Sequence, residues 1–524
     1  MRSVVLCLAL LLAAALVGRG AETPVVSPYE RDASLAPANH IDELVLAALN
    51  KRSIEPADVC SDAVFLRRVY IDVIGTLPTP AEVRNFLLDK RADKRAALVD
   101  ALMQRDEFAD YWSLKWCDVL RVKSEFPINL WPEAAQVYHR WIHDAIRDNV
   151  PYDQFARALL TSSGSNFRVP PANFYRAVQG RDPGAIADAV ALTFMGARSA
   201  GWPADQRAGM AAFFSRITYK GTAEWKEEIV CLDPSATTPL KATFPGGETV
   251  QVPPQKDPRQ VFADWLIEPD NPWFARNAVN RVWAWLMGRG IINEADDIRP
   301  DNPPANPELL AYLEKELVDA HYDLRHVYRL ILNSRTYQQS SIPRSDSPDA
   351  AAQFACYPVR RLDAEVLIDA LNWIAGPGQG ESYQNTTPEP YTFIPQSQRT
   401  IALADGSITS QFLEMFGRQA RDTGLESERN NTPSTDQRLQ LLNSSLIQQK
   451  ITRSQRLRGL QRLAAGDRDR MIQGLYVIVL SREPMPEEVA AAQEYFKTPG
   501  IGQDQAVGDL AWALINTKEF LYRH

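Results

Sequence analysis

The sequence predicts a mainly α-helical chain in which two helical regions are separated by a small β-hairpin insert. Three observations carry that prediction. Apolar residues recur at three-and-four spacing in one segment after another, helix starts are marked by capping sequences, and one short stretch instead alternates apolar and polar residues.

The N-terminal residues come first and stand apart from the fold. Arg2 supplies a positive charge, and Val4 to Val17 runs without a charged side chain before Gly18-Arg19-Gly20 offers small residues. The apolar stretch is shorter than the roughly 20 residues that span a bilayer, so residues 1–20 read as a secretory signal cleaved before Ala21. A periplasmic or extracellular location follows as an expectation, with no transmembrane segment after cleavage.

The first helical region is placed at residues 38–218. Ile41, Leu44, Val45, Ala48 and Leu49 form one apolar face, and Thr79-Pro80-Ala81-Glu82 has the form of a capping box with proline at the first helical position. At residues 219–256 the pattern changes. Leu240, Ala242 and Phe244 alternate before Pro245-Gly246-Gly247, and Val250 and Val252 follow, which predicts a hairpin. The second helical region, 257–524, opens at Asp257. It contains a start at Asn306-Pro307-Glu308 and an apolar face of Leu324, Val327, Tyr328, Ile331 and Leu332.

The two ends of the chain resemble each other. Tyr70 to Val83 aligns without gaps on Tyr476 to Val489, pairing Pro78 with Pro484, Pro80 with Pro486 and Glu82 with Glu488. After a shift, Leu98, Ala101, Leu102, Glu107 and Phe108 match Leu510, Ala513, Leu514, Glu519 and Phe520, and Leu332 to Tyr337 echoes Ile515 to Phe520. Each copy reads as a helix, a proline-capped turn and a second helix ending in an aromatic plug. Such a repeat is architectural and implies no chemistry.

Composition narrows the function. Of 524 residues, 45% are hydrophobic and 23% charged, as in ordinary globular proteins, and the net charge of −8 argues against a phosphate-tracking nucleic-acid binder. Cys60, Cys117, Cys231 and Cys356 follow the signal; their wide spacing gives no disulfide scaffold but leaves room for one or two bridges. The GxSxG elbow, the Walker loop and GxGxxG after a strand are all missing. His139 and His143, four apart on one helix face, could supply two metal ligands, but no third is evident beyond Asp144, and no metal site is assigned.

Several motifs together resemble a known pair of domains. Arg67-Arg68-Val69-Tyr70-Ile71-Asp72, Leu77-Pro78-Thr79-Pro80, Trp116-Cys117-Asp118-Val119-Leu120-Arg121 and Asn149-Val150-Pro151-Tyr152 resemble the cytochrome-c-like domain of unknown function common in planctomycetes and their relatives. Asp257-Pro258-Arg259, Asn280-Arg281-Val282-Trp283, Arg360-Arg361-Leu362-Asp363-Ala364-Glu365, Phe416-Gly417-Arg418, Leu441-Leu442-Asn443 and the terminal Leu514 to His524 resemble its usual partner domain, also of unknown function. Many members carry a Cys-x-x-Cys-His motif after the helix that here ends in Phe194-Met195-Gly196. In this chain that motif falls on Gly201, Trp202, Pro203, Ala204 and Asp205, or on a loop that has been shortened; the two thiols and the imidazole are absent. The resemblance thus implies a cytochrome-like body without the chemistry that attaches a c-type haem, and no cofactor is expected.

The charged residues inside these motifs are the remaining candidates: Arg67, Arg68, Asp72, Asp118, Arg121, Arg140, Arg281, Arg361, Asp363 and Glu365. Either they form internal ion pairs, because buried charges must be paired, or they line a cleft that binds an anionic ligand by fork geometry. Two function classes stay open. One is a haem-less binding or scaffold protein of the cell envelope, whose partners would be other envelope proteins or an anionic glycan. The other is an enzyme acting on an extracytoplasmic substrate such as polysaccharide through an Arg/Asp-lined cleft, with Asp72, Asp363 and Glu365 as acid/base groups.

Overall fold

In the computed structural model, α1 (His40–Lys51) buries Ile41, Val45 and Leu49, the face that the spacing predicts. The structure describes residues 28–31, 36–378, 380–383, 394–395 and 397–524; the signal segment 1–20 lies outside them. No helix among the described residues is long and apolar enough to cross a membrane.

The first helical region continues through α2 (Asp62–Ile74), α3 (Pro80–Leu88), α4 (Lys94–Met103), α5 (Asp106–Val119), α6 (Pro132–Arg147), α7 (Tyr152–Thr161) and α8 (Pro183–Val190). The Thr79–Glu82 capping box opens α3: the Glu82 amide donates to Thr79 Oγ1 and the Thr79 amide to Glu82 Oε2. After α8 the chain passes through a π-helical turn, Ala191–Met195, and a loop into α9 (Ala204–Ala212). The second region holds α10 (Pro258–Leu266), α11 (Phe274–Met287), α12 (Pro307–Asp319), α13 (Leu324–Asn333) and α14 (Ala364–Ala375). It ends in α15 (Thr435–Asn443), α16 (Ser445–Thr452), α17 (Gln455–Ala464), α18 (Arg468–Leu480), α19 (Pro486–Phe496) and α20 (Gln503–Ile515).

The insert between the regions is larger than one hairpin. β4 (Leu240–Thr243) and β5 (Thr249–Val252) pair antiparallel from Leu240 with Val252 to Thr243 with Thr249, as the alternation predicts. Before them, β2 (Ile217–Gly221) and β3 (Glu228–Leu232) form a second hairpin that also pairs with β1 (Gly164–Ser165). Of β2 and β3 only Val230 is fully buried, so the strands lack the clean apolar alternation that would announce them. A further pair, β6 (Arg360–Arg361) with β7 (Tyr522–Arg523), joins segments too far apart for local pattern to reveal.

One apolar cluster runs from Ile41 to Phe520 through both regions. The internal repeat is physical. Gly75 and Ser481, equivalent in the alignment, end α2 and α18 with the same left-handed backbone, φ 60° and 61°. In the first copy Arg105 bridges Glu82 and Glu107 beside the Tyr70 ring; in the second Arg482 bridges Glu488 and Glu519 beside the Tyr476 ring. The echo at Tyr337 repeats a local bond pattern. Ser334 Oγ donates to the Ile331 carbonyl and accepts from the Tyr337 amide, as Thr517 Oγ1 does with Leu514 and Phe520.

Candidate functional site

Helix α5 turns Lys115 and Asp118 inward, and the start of α14 brings Asp363 and Glu365 to meet them. Asp118 accepts from Arg421 Nε at 2.8 Å and Arg429 Nη2 at 2.6 Å. Arg429 also reaches Glu365 at 2.7 Å, and Arg418 stands 3.5 Å from the same carboxylate. Asp363 accepts from Lys115 Nζ at 2.8 Å, Arg523 Nη2 at 3.0 Å, the Tyr111 hydroxyl and Asn431. Arg523 carries the network on to Asp72, 2.9 Å away, which also accepts from the Tyr337 and Tyr357 hydroxyls. All of these charged residues are buried except Arg429, which is partly buried with its side chain 7% exposed. Burial alone would raise the Asp363 and Glu365 carboxyls, but the neighbouring cations outweigh it: Arg523 and Lys115 hold Asp363 well below the usual carboxylate range, and Arg429 holds Glu365 at about 2.

The other candidates are dispersed. Arg361 donates to the carbonyls of Phe416 and Asn430, and its ring neighbour is Phe416. Arg67 binds the carbonyls of Val479 and Phe520, whereas Arg68 binds those of Tyr337, Gln339 and His524, so the adjacent arginines fasten two different parts of the second region to α2. Arg121 donates to the Ala177 carbonyl at 2.7 Å. Burial pushes Arg67 and Arg121 down to about 10. Arg281 pairs with Glu426 at 2.7 Å. Arg140 is exposed, because α6 buries the opposite face through Ala134, Ala135, Tyr138 and Ile142. Lys115, Arg418, Arg421, Arg429 and Arg523 were not singled out by sequence, although Arg418 and Arg523 lie in stretches that were.

The loop that follows the π-helical turn is held against the second region. Gly196 has φ +61°, and a Cβ there would meet Asn277 Oδ1 at 2.6 Å; its carbonyl accepts from the Ile298 amide. Asn277 in turn donates to the Thr193 carbonyl within the π-helical turn. Gly201, Trp202 and Pro203 then line a cleft of about 710 Å³ together with Trp273, Arg276 and Asp297 among others. A c-type haem needs two thioether links and an axial ligand. The cleft lining holds no thiol, imidazole or thioether, so these residues do not fit a covalently attached haem.

Metal chemistry finds no better footing. His139 and His143 stack 6.2 Å apart; His143 contacts Asp110 and Asp144, and burial pushes His139 down to about 3. No group of three or more His, Cys, Asp or Glu side chains among the described residues could hold a metal ion. Cys60, Cys117, Cys231 and Cys356 are free thiols, and burial raises Cys117 to about 12, which makes it a poor nucleophile.

Fold and site define a mainly helical two-region protein, knit together by buried Arg–carboxylate pairs, with an open cleft beside Gly201, Trp202 and Pro203. The chain belongs to the two-domain proteins in which PSCyt2, a protein of unknown function (DUF1549), matched at residues 40–197, is followed by PSD1, a protein of unknown function (DUF1553), matched at residues 258–496. No curated protein and no solved structure matches the chain.

Proposed function

We propose that the protein is exported and serves outside the cytoplasm as a haem-less binding or scaffold protein of the cell envelope. The observation that carries this reading is the stretch Gly201–Asp205, which offers no group for haem attachment and whose Gly201, Trp202 and Pro203 instead line an open cleft. Export is supported by Arg2 and the uncharged run Val4–Val17. The acid/base alternative finds little support: Asp72, Asp363 and Glu365 are 2%, 1% and 0% exposed, each bonded to cations, and a general acid or base must reach its substrate.

The test is expression of the full chain in a bacterium that carries a cytochrome c maturation system. The protein is expected in the periplasmic or secreted fraction, shortened at its N-terminus and without a Soret band. Retention in the cytoplasm would overturn export, and a Soret band surviving denaturation would overturn the haem-less reading.

A further inference from the structure

The cleft beside Trp202 lies where residues of both helical regions meet, directly after a π-helical turn, a distortion frequent at functional sites. Its volume of about 710 Å³ falls within the range of ligand pockets. Two half-buried indoles line it, and neither ring N–H has an acceptor among the described residues. Trp273 is fixed by packing on Trp265, ring centroids 5.7 Å apart, and Trp265 stacks on Phe244 at 4.9 Å. The Trp273 face is therefore preset rather than loose.

Three arginines line the same cleft, each already held by carboxylates. Arg198 pairs with Glu294 and Asp296, Arg276 with Glu314, and Arg299 with Asp297 and Asp301. Five carboxylates against three guanidiniums leave no positive charge for an anion to seek. The pairing also leaves donors to spare: Nη1 of Arg276 and Nη2 of Arg299 have no acceptor among the described residues. Arg198 is further braced through Asp296, which accepts from the Glu426 amide, and Glu426 holds the buried Arg281.

Apolar ring faces beside fixed donors and acceptors, with no unpaired cation among them, suit a ligand ring that presents C–H groups on its face and hydroxyls around its edge. We propose that this cleft binds a neutral oligosaccharide, with Trp202 and Trp273 as stacking surfaces and the carboxylate-held arginines as hydroxyl partners. The proposal rests on the reading of the chain as an envelope binding protein. It replaces the anionic glycan suggested by arginine content alone, since a sulfated or carboxylated sugar would face the acidic excess.

The purified full chain, titrated with xylohexaose, laminarihexaose, cellohexaose and mannohexaose, tests it by calorimetry and tryptophan fluorescence, with a chondroitin sulfate hexasaccharide as the charged control. Saturable binding of at least one neutral hexasaccharide is expected, weakened about tenfold or more by Trp202→Ala and by Arg299→Ala. The same affinity at low and high salt is expected for an uncharged ligand. Melting curves of both variants, whose side chains are partly or fully at the surface, report whether the fold is intact. The proposal is overturned by no neutral binding up to roughly 10 mM, by binding that both variants retain, or by a preference for the sulfated sugar that salt abolishes. Any of these outcomes leaves the fractionation and Soret results standing, so the two readings fail separately.

Discussion

Asp118 accepts from two guanidiniums in the interior, and that geometry fixes what its removal costs. Deleting one partner of a buried pair strands the other charges, an effect of about 3–5 kcal/mol. Asp118→Ala should therefore lower the guanidinium unfolding free energy by that order, and a loss under about 1 kcal/mol would mean that water compensates Arg421 and Arg429. Glu365 adds a pH dependence. Its carboxyl is held at about 2 in the folded protein against an ordinary 4.5, so its stabilising contribution is complete above pH 4.5 and is lost as pH falls toward 2. That contribution is on the order of 3 kcal/mol. Glu365→Gln should be less stable at pH 7 and show a flatter decline between pH 4.5 and 2 than the parent, measured by denaturant titration at each pH. The sequence yielded one member of each pair, Asp118, Asp363 or Glu365, through motif and apolar context. Their cations were hidden because Arg421 and Arg429 lie 303 and 311 residues from Asp118, and no local spacing records such a partnership.

At the scale of elements, the two repeat copies solve one backbone problem with different residues. Gly75 and Ser481 both sit in the left-handed region, where a Cβ costs about 1–2 kcal/mol. At Gly75 a Cβ would also meet Tyr111 Cδ2 at 2.7 Å, so Gly75→Ala should destabilise by more than that conformational cost alone. Ser481→Gly should be neutral or stabilising by up to about 1 kcal/mol, because only a 3.4 Å contact with Arg67 is lost. Thermal melts of the two variants check the asymmetry, and equal losses would refute it. The aligned prolines, glutamates and aromatics made the repeat legible, yet its bridging arginine was not: Arg105 precedes its last helix, whereas Arg482 follows α18, so gapless alignment cannot pair them. The β4–β5 hairpin was readable from Pro245-Gly246-Gly247 and the alternation around it. β2 and β3 were not, since both faces of that hairpin are partly solvated and its turn lacks glycine.

For the whole molecule, the question is whether the two matched domains can unfold apart, and the placement of Arg523 argues that they cannot. Arg523 on β7 pairs with Asp72 of the first region and Asp363 of the second, while its strand partners Arg360 and its neighbour Tyr522 partners Arg361. Arg68, from α2, grips the Tyr337 and His524 carbonyls, and the apolar cluster is continuous across the boundary. Domains that share a buried charge network and one core lose both together, because opening either strands ions in the other. The chain should thus unfold in a single calorimetric transition despite carrying two domain matches. Arg523→Ala should lower stability by about 3–5 kcal/mol and reduce hydrogen-exchange protection in α2 and α14 alike. Two separate transitions, or loss of protection confined to residues 258–496, would mean instead that the regions are independently stable and that the Arg523 pairs merely seal their contact.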